Sequence, residues 1–248
     1  MKETYKSATL NICGLGEKTP ELISFMKEKD IEILGLADIR RKGNNIKAVL
    51  NNYVLIWSGV GANERAKHGV GFLLHQNKAK LISDVEYVSE RIVRIQLTER
   101  ERTTTIIQVY APCNDANNIE ERNEFFEKLS DVLNKINNKN DLIVMGDFNG
   151  RIGRKKTHRE HCLGNFGDTT KDRNSNGEEL INLCLEHGLL IANSFYEHRR
   201  SHITTWYKWD NLSITSQIDY ILVRHRQKIY ITDARVIPNI YILITVRL

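Results

Sequence analysis

The chain has 248 residues, of which 41% are hydrophobic and 27% charged, with three prolines and no Gly/Ser-rich stretch; this excludes low-complexity and linker-divided architectures and fits one α/β domain over residues 1–248. The formal charge of +5 tilts towards a polyanionic partner without requiring one. No run approaches the roughly 20 apolar residues of a membrane span.

The N-terminus, Met1-Lys2-Glu3-Thr4-Tyr5-Lys6, has no apolar signal core, so an intracellular protein, nuclear or cytoplasmic, with no membrane partner is expected. Cys13, Cys113, Cys162 and Cys184 are scattered without a C-x-x-C pair, which suits reduced thiols. Nothing points to an obligate protein partner, and a monomer is expected.

In chain order, Ser7–Cys13 reads as a strand with Asn11 near its end. Thr19-Pro20-Glu21 starts a helix whose apolar positions are Leu22, Ile23, Phe25 and Met26. Ile31–Leu36 is a buried strand running into Ala37-Asp38, and the basic loop Ile39-Arg40-Arg41-Lys42-Gly43 follows. Strands are predicted at Tyr53–Trp57, Val70–His75, Leu81–Val88, Ile92–Thr98 and Thr104–Tyr110, several alternating as in an antiparallel meander covered on one face. His68, before the Gly-Val-Gly turn, reads as a surface residue.

From Asn118 the period changes to that of a helix, with Ile119, Phe126, Leu129, Leu133 and Ile136 on one face and Asn118 and Glu121 placed to cap it. Leu142–Gly150, LIVMGDFNG, is then a buried strand ending in a carboxylate and an amide. Side chains two apart on an extended chain point the same way, so Asp147 and Asn149 face one pocket. Strand, helix, strand ending at Asp38 is echoed by strand, helix, strand ending at Asp147. Two packed sheets with related halves bring both carboxylates to the same edge.

Arg151–Arg173 is a long basic loop of the size that is usually functional or mobile. Asn176-Gly177-Glu178-Glu179 opens a helix closed by Gly188, and strands are predicted at Leu189–Asn193, Ile203–Trp209, Ile218–Val223, Ile229–Ile237 and Ile240–Val246. His158, His161 and Cys162 lack the fourth ligand and spacing of a zinc site and read as a solvated loop.

The strand-end residues form an ordered series: Leu10-Asn11, Ile33-Leu34-Gly35-Leu36-Ala37-Asp38, Gly69-Val70-Gly71-Phe72, Val109-Tyr110-Ala111-Pro112, Gly146-Asp147-Phe148-Asn149, Thr205-Trp206 and Ile218-Asp219-Tyr220. It resembles the endonuclease/exonuclease/phosphatase family across essentially the whole chain. The Gly-Val-Gly-Phe block, Asn174-Ser175-Asn176-Gly177, Ile191-Ala192-Asn193 and the Thr-Trp pair are most similar to the apurinic-type endonucleases of RTE/BovB-like non-LTR retrotransposons and to craniofacial development protein 2-like host proteins.

The resemblance implies an α/β fold, a four-layered sandwich of two packed mixed β-sheets flanked by helices, and cleavage of a DNA phosphodiester assisted by Mg2+, with Mn2+ an alternative. It assigns Asp38 and Asn11 to the metal, Asp147 to the attacking water, Asn149 and Tyr110 to the phosphate, and Asp219 to pairing with a catalytic histidine. Magnesium takes oxygen ligands and retains water, which agrees with these residue types.

The resemblance also exposes two departures. Asp38 stands where the family has Glu, so its carboxylate is one methylene shorter. The family's Ser-Asp-His segment before the last strand has no counterpart in Pro238-Asn239-Ile240-Tyr241-Ile242-Leu243-Ile244-Thr245-Val246. Losing such a preorganised group typically costs on the order of a hundredfold to a thousandfold in rate, so an impaired nuclease is expected; a non-catalytic nucleic-acid-binding remnant and, third, an inositol or sugar phosphatase are the other readings. Arg224 and His225 are basic side chains that could cover the missing role.

Basic residues Arg40, Arg41 and Lys42, then Arg151, Arg154, Lys155, Lys156 and Arg159, then Arg199 and Arg200, occur on loops expected at the rim near Asp147, where they could neutralise phosphates. Trp206, Tyr207 and Trp209 either stack on unpaired bases or bury one aromatic face of a hairpin.

Overall fold

The computed structural model describes residues 4–168, 172–237 and 241–247. β1 (Thr4–Asn11) passes through α1 (Thr19–Lys29) into β2 (Ile33–Ala37), which lies parallel to it with Asn11 opposite Ala37. β3 (Asn44–Val49), β4 (Tyr53–Ser58) and β5 (Val70–His75) follow, then the single turn α2 (Gln76–Ala79). β6 (Ile82–Ser89), β7 (Ile92–Glu99) and β8 (Arg102–Tyr110) form an antiparallel meander, as the alternation predicts.

α3 (Ile119–Asn134) then crosses to β9 (Asp141–Asp147), parallel to β8 with Tyr110 opposite Asp147. The two β-α-β echoes are therefore both parallel crossovers. α4 (Ser175–Glu186), β10 (Leu189–Ile191), the hairpin β11 (Trp206–Lys208) and β12 (Asn211–Ser216), then β13 (Asp219–Arg224), β14 (Ile231–Ile237) and β15 (Tyr241–Arg247) complete the described elements.

These strands form one sheet in the order β14-β15-β1-β2-β5-β4-β3, a second in the order β10-β13-β9-β8-β7-β6, and the separate β11-β12 hairpin. Ile33, Ile56 and Phe72 of the first sheet pack with Val93, Ile95, Ile106, Ile143 and Met145 of the second in the layer between them. On the outer face of the first sheet, Leu22, Ile23 and Met26 of α1 cover Leu10, Leu34, Leu36 and Leu55. On the outer face of the second, α3 and α4 bury Phe125, Leu129, Leu180 and Cys184 against Ile107, Val144 and Leu222. The result is the α/β sandwich of two mixed sheets flanked by helices that the resemblance implies. Both faces of β2 and β9 are covered, which is why these strands read as unbroken apolar runs.

One buried polar bridge fixes the sheets beneath the site. Gln108 of β8 is fully buried and its Nε2 donates to Thr9 Oγ1 of β1 at 3.0 Å. Gln108 precedes Tyr110 by two residues and Thr9 precedes Asn11 by two, so the bridge lies on the faces that carry those side chains. Gly35, opposite Thr9, leaves room for it: a Cβ there would collide with the Gln108 amide.

Several local expectations need correction. β3 and β12 lie outside the predicted strands: β3 is a solvent-exposed edge strand, and β12 is short, with only Leu212 and Ile214 alternating among polar residues. The strand predicted over Ile203–Trp209 is reduced to Trp206–Lys208, preceded by a short 3-10 turn. Asn118 makes no side-chain cap: it ends the 3-10 turn Ala116–Asn118, which Asp115 caps, and the Glu121 side chain pairs with Arg91. All four cysteines are free. No helix among the described residues is long and apolar enough to cross a membrane.

Candidate active site

The C-terminal ends of β1, β2, β8 and β9 and the N-terminal end of β13 meet at one edge of the sandwich. Asp147 faces Tyr110 on one neighbouring strand and Asp219 on the other, and Asn11 reaches across from the other sheet to donate from Nδ2 to Asp147 Oδ2 at 2.9 Å. Asp147 Oδ1 accepts the Asn149 backbone N–H at 2.9 Å. Asn149 Nδ2 donates to the Ala111 carbonyl at 2.8 Å, using one of its two amide protons.

Asp38 follows β2 directly, and the field of its carboxylate is felt at both Asp147 and Tyr110. Six residues separated by up to 208 positions in the chain thus converge: Asn11, Asp38, Tyr110, Asp147, Asn149 and Asp219.

Backbone strain concentrates in the same place. Cys13, Asp38, Arg40, His68 and Asn149 all adopt positive φ, between 46° and 55°. Non-glycine residues rarely do so, Asp and Asn being the best tolerated, and such strain persists where surrounding structure imposes it. A left-handed backbone at position 38 suits Asp better than the longer Glu. Gly146, at φ 146°, passes under Val109 where any Cβ would strike the Val109 carbonyl. This is the local reason for glycine before Asp147.

Burial sets the electrostatics. Asp147 is 4% exposed and is pushed up to about 6 by burial, against hydrogen bonds from Asn11 and Asn149 that pull it down, while Asp38 raises it further. Asp219 is held well above the usual carboxylate range by burial and then by Asp147, with a hydrogen bond from Thr205 opposing. The Tyr110 phenol is also pushed up, by burial first and by Asp38 and Asp147 next, so it stays protonated and can donate. These are oxygen-bearing groups, the ligand type a hard divalent cation takes, although no three carboxylates among the described residues are grouped closely enough to hold one ion by themselves.

One cation already faces that set. Arg40 forks onto Asp38, with Nε 3.2 and 3.1 Å from the two carboxylate oxygens and Nη2 2.8 Å from Oδ2. Arg40, expected to meet nucleic acid, keeps an exposed side chain but forks onto Asp38, the residue expected to hold the metal. Arg40→Met should free Asp38 and tighten Mn2+ binding by about tenfold, as a competing bidentate partner is removed; unchanged affinity in a calorimetric titration would show that the two do not compete.

The remaining basic residues lie on segments that leave the site. Arg41 stacks on Trp57, its guanidinium carbon 5.1 Å from the ring centre. Arg151 Nε donates to the Asp172 carbonyl at 3.3 Å, and the Arg154 carbonyl accepts from Arg173. Trp206 follows Thr205, whose hydroxyl accepts the Ile218 N–H at 3.0 Å beside Asp219. Trp206, Tyr207 and Trp209 are 39%, 52% and 91% exposed, so the hairpin does not bury an aromatic face.

Arg224 and His225 are not at this edge. Asp219 begins β13 and Arg224 ends it, on the opposite side of the sheet, where Arg224 contacts Asn137 and Asn138. They cannot serve Asp219. Pro238-Asn239-Ile240, where the resemblance would place the Ser-Asp-His segment, lies outside the described residues. His158, His161 and Cys162 do not assemble: Cys162 is buried while both histidines are exposed, and no cluster of three metal-binding side chains occurs among the described residues.

Sequence reasoning missed Arg91 and misjudged His68. Arg91 shares strand parity with Val93, Ile95 and Leu97, all buried between the sheets, so a charge on the apolar parity was the available signal. His68 is half-buried, its ring 6.1 Å from that of Tyr110.

A sandwich with carboxylates, amides and a phenol gathered at one strand-end edge defines the nuclease and phosphatase class of endonuclease/exonuclease/phosphatase folds. More particularly, the chain belongs to the endonuclease-reverse transcriptase family, whose sequence model matches residues 104–237. It is similar to craniofacial development protein 2 of Bos taurus and of Tragulus javanicus, 24% identical to each over 239 residues, or 96% of this chain. The chain spans about two-fifths of the length of these curated relatives, 39% and 40%.

Among solved structures it resembles an AP endonuclease from Leishmania major (TM-score 0.74, 12% identity, 99% of this chain and 88% of that one). It also resembles a 3′ phosphatase from Neisseria bound to a product DNA hairpin (0.73, 15%, 98% and 100%). The endonuclease domain of TRAS1, a telomere-specific non-LTR retrotransposon, matches too (0.67, 16%, 98% and 99%).

Proposed function

We propose that residues 1–248 form one domain that acts as a Mg2+-dependent DNA endonuclease of retrotransposon origin, with Mn2+ able to replace Mg2+. The observation that carries this reading is the hydrogen bond from Asn11 to Asp147 across the two sheets, which draws the arms bearing Asp38 and Asp219 around one acidic, oxygen-lined edge. Asp38 and Asn11 would hold the ion, which when bound polarises a phosphate oxygen and offsets charge developing on it.

Asp147, ionised above about pH 6, orients the attacking water and accepts its proton, a role that suits a pKa near the working pH. Tyr110, which keeps its phenolic proton, and the second amide proton of Asn149 bind the non-bridging oxygens. Asp219, its carboxyl pushed well up by burial and by Asp147, sits one strand from Asp147. Arg41, Arg151, Arg154 and the exposed Trp206 hairpin supply contacts to the flanking strand, with binding that weakens as salt rises.

The C-terminal segment lacks the Ser-Asp-His residues of the resembled family, so cleavage is expected at a reduced rate. The Arg40 fork on Asp38 favours a second reading, a DNA-binding remnant in which the chain's own guanidinium stands in for the metal. Nicking of supercoiled plasmid separates them. The endonuclease reading expects Mg2+-dependent relaxation abolished by chelator and no turnover of inositol or sugar phosphates. Retention of plasmid without any nick, in Mg2+ or Mn2+, would establish the remnant instead.

A further inference from the structure

Tyr110 is held by a buried arginine that the chemistry above does not use. Arg91 immediately precedes β7, and its side chain is 8% exposed. Nη1 donates to the Tyr110 carbonyl at 3.1 Å, while Nε and Nη2 donate to Glu121 Oε1 of α3 at 3.0 and 2.6 Å. Nη2 also lies 3.2 Å from His68 Nε2. The guanidinium carbon stands 5.5 Å from the Tyr110 ring centre, within cation–π range.

A guanidinium has donors and no acceptor, so its contact with His68 fixes the imidazole: Nε2 carries the lone pair and Nδ1 the proton. Burial and then the Arg91 charge push His68 down, in keeping with a neutral ring. The same segment is stitched to the other arm of the site. The His68 carbonyl accepts the Arg40 N–H at 2.6 Å, the Gly69 carbonyl accepts the Ile39 N–H at 3.0 Å, and Gly69 N–H donates to the Glu90 carbonyl at 3.1 Å. The loop that leaves Asp38 is thereby tied through His68–Gly69 to the turn that carries Arg91.

We propose that Arg91, its fork closed by Glu121 and His68, is a positioning residue that holds the Tyr110 ring and sets where its hydroxyl meets the substrate phosphate. A clamp between the β7 turn and α3 would need Glu121 and the Tyr110 carbonyl alone; the ring stack and the His68 contact are what direct Arg91 at the phenol. The kinetic part rests on the endonuclease reading, the geometric part does not.

Arg91→Lys retains a buried cation but not the fork, since an ammonium is a point charge without the guanidinium plane. His68→Gln returns an oxygen acceptor near the Nε2 position, whereas His68→Asn is too short to reach Arg91. In protein labelled with 3-fluorotyrosine, the Tyr110 resonance is assigned by its loss in Tyr110→Phe. It should move or broaden in Arg91→Lys and His68→Asn and stay in place in His68→Gln. A Tyr110 signal unmoved by Arg91→Lys, in a sample whose other tyrosine signals are native, would overturn the proposal.

In plasmid nicking, Arg91→Lys should lower kcat roughly ten- to a hundredfold with little change in KM, and that loss should vanish in a Tyr110→Phe background. Equal losses in both backgrounds would show that Arg91 acts independently of Tyr110 and refute its positioning role. If the wild type makes no nick, the endonuclease reading fails and the fluorine spectrum alone decides. Should Arg91→Lys not fold, the His68→Gln and His68→Asn pair decides by the same spectrum: His68→Asn moving the signal with His68→Gln silent supports the proposal, and both silent refutes it.

Discussion

Asp147→Asn is expected to make the protein more stable at pH 7.5 while lowering nicking by on the order of a hundredfold to ten-thousandfold, the usual contribution of a positioned general base. The two effects share one cause. Asp147 titrates at about 6 in the fold, against about 3.9 for an unfolded aspartate. Between those values the native state holds a proton that the unfolded chain has lost. Stability therefore falls as pH rises from about 4 to about 6 and remains at the lower level above it.

A difference of about two units corresponds to about 3 kcal/mol, which Asn, unable to ionise, avoids apart from any weakening of the Asn11 and Asn149 contacts. Urea midpoints of the two proteins should diverge at pH 7.5 and converge near pH 4. A variant no more stable at pH 7.5, or one that nicks like wild type, would contradict this account of Asp147.

The second large effect lies in the basic loop. Arg173→Met is expected to destabilise the protein by roughly 3–5 kcal/mol, because it strands a buried carboxylate without its partner. Arg173, with a side chain 3% exposed, donates from Nη1 and Nη2 to the two Glu160 oxygens at 2.9 and 3.0 Å. Its Nε donates to the Ile152 carbonyl at 2.7 Å and its Nη2 to that of Arg154 at 3.1 Å. Glu160 also accepts the Lys156 N–H at 2.8 Å.

The segment that leaves Asn149 is therefore anchored from within, although its length suggested mobility. Pairing Arg173→Met with Glu160→Leu should cost less than Arg173→Met alone, since no uncompensated charge remains. Chemical denaturation checks both values. A loss under 1 kcal/mol for Arg173→Met would mean that the loop does not depend on this pair.

Legibility in the sequence followed physical range. The strand ends at Asn11, Tyr110 and Asp147 were readable because apolar runs carry polar residues there, and Asp219 because an apolar run begins beside it. Both strand-helix-strand units were readable, the first from its Thr19-Pro20-Glu21 helix start and the second from the change of period at Asn118, whereas the parallel pairing of their strands comes from the fold. β3 was not readable, since a solvent-exposed edge strand buries neither face. Nor was the Arg40 fork onto Asp38: the pair lies in the loop after β2, where both backbones are left-handed, a geometry that no periodic pattern announces. The Arg91–Glu121 pair spans 30 residues and two elements. Local pattern has no access to it.

Mn2+ titration followed by electron paramagnetic resonance tests most directly whether distant arms of the chain surround one divalent cation. The arrangement predicts one bound ion per chain in the wild type, lost in Asp38→Ala, weakened in Asp147→Asn and untouched in Arg224→Ala at the far end of β13. Binding that survives Asp38→Ala at wild-type affinity would contradict it.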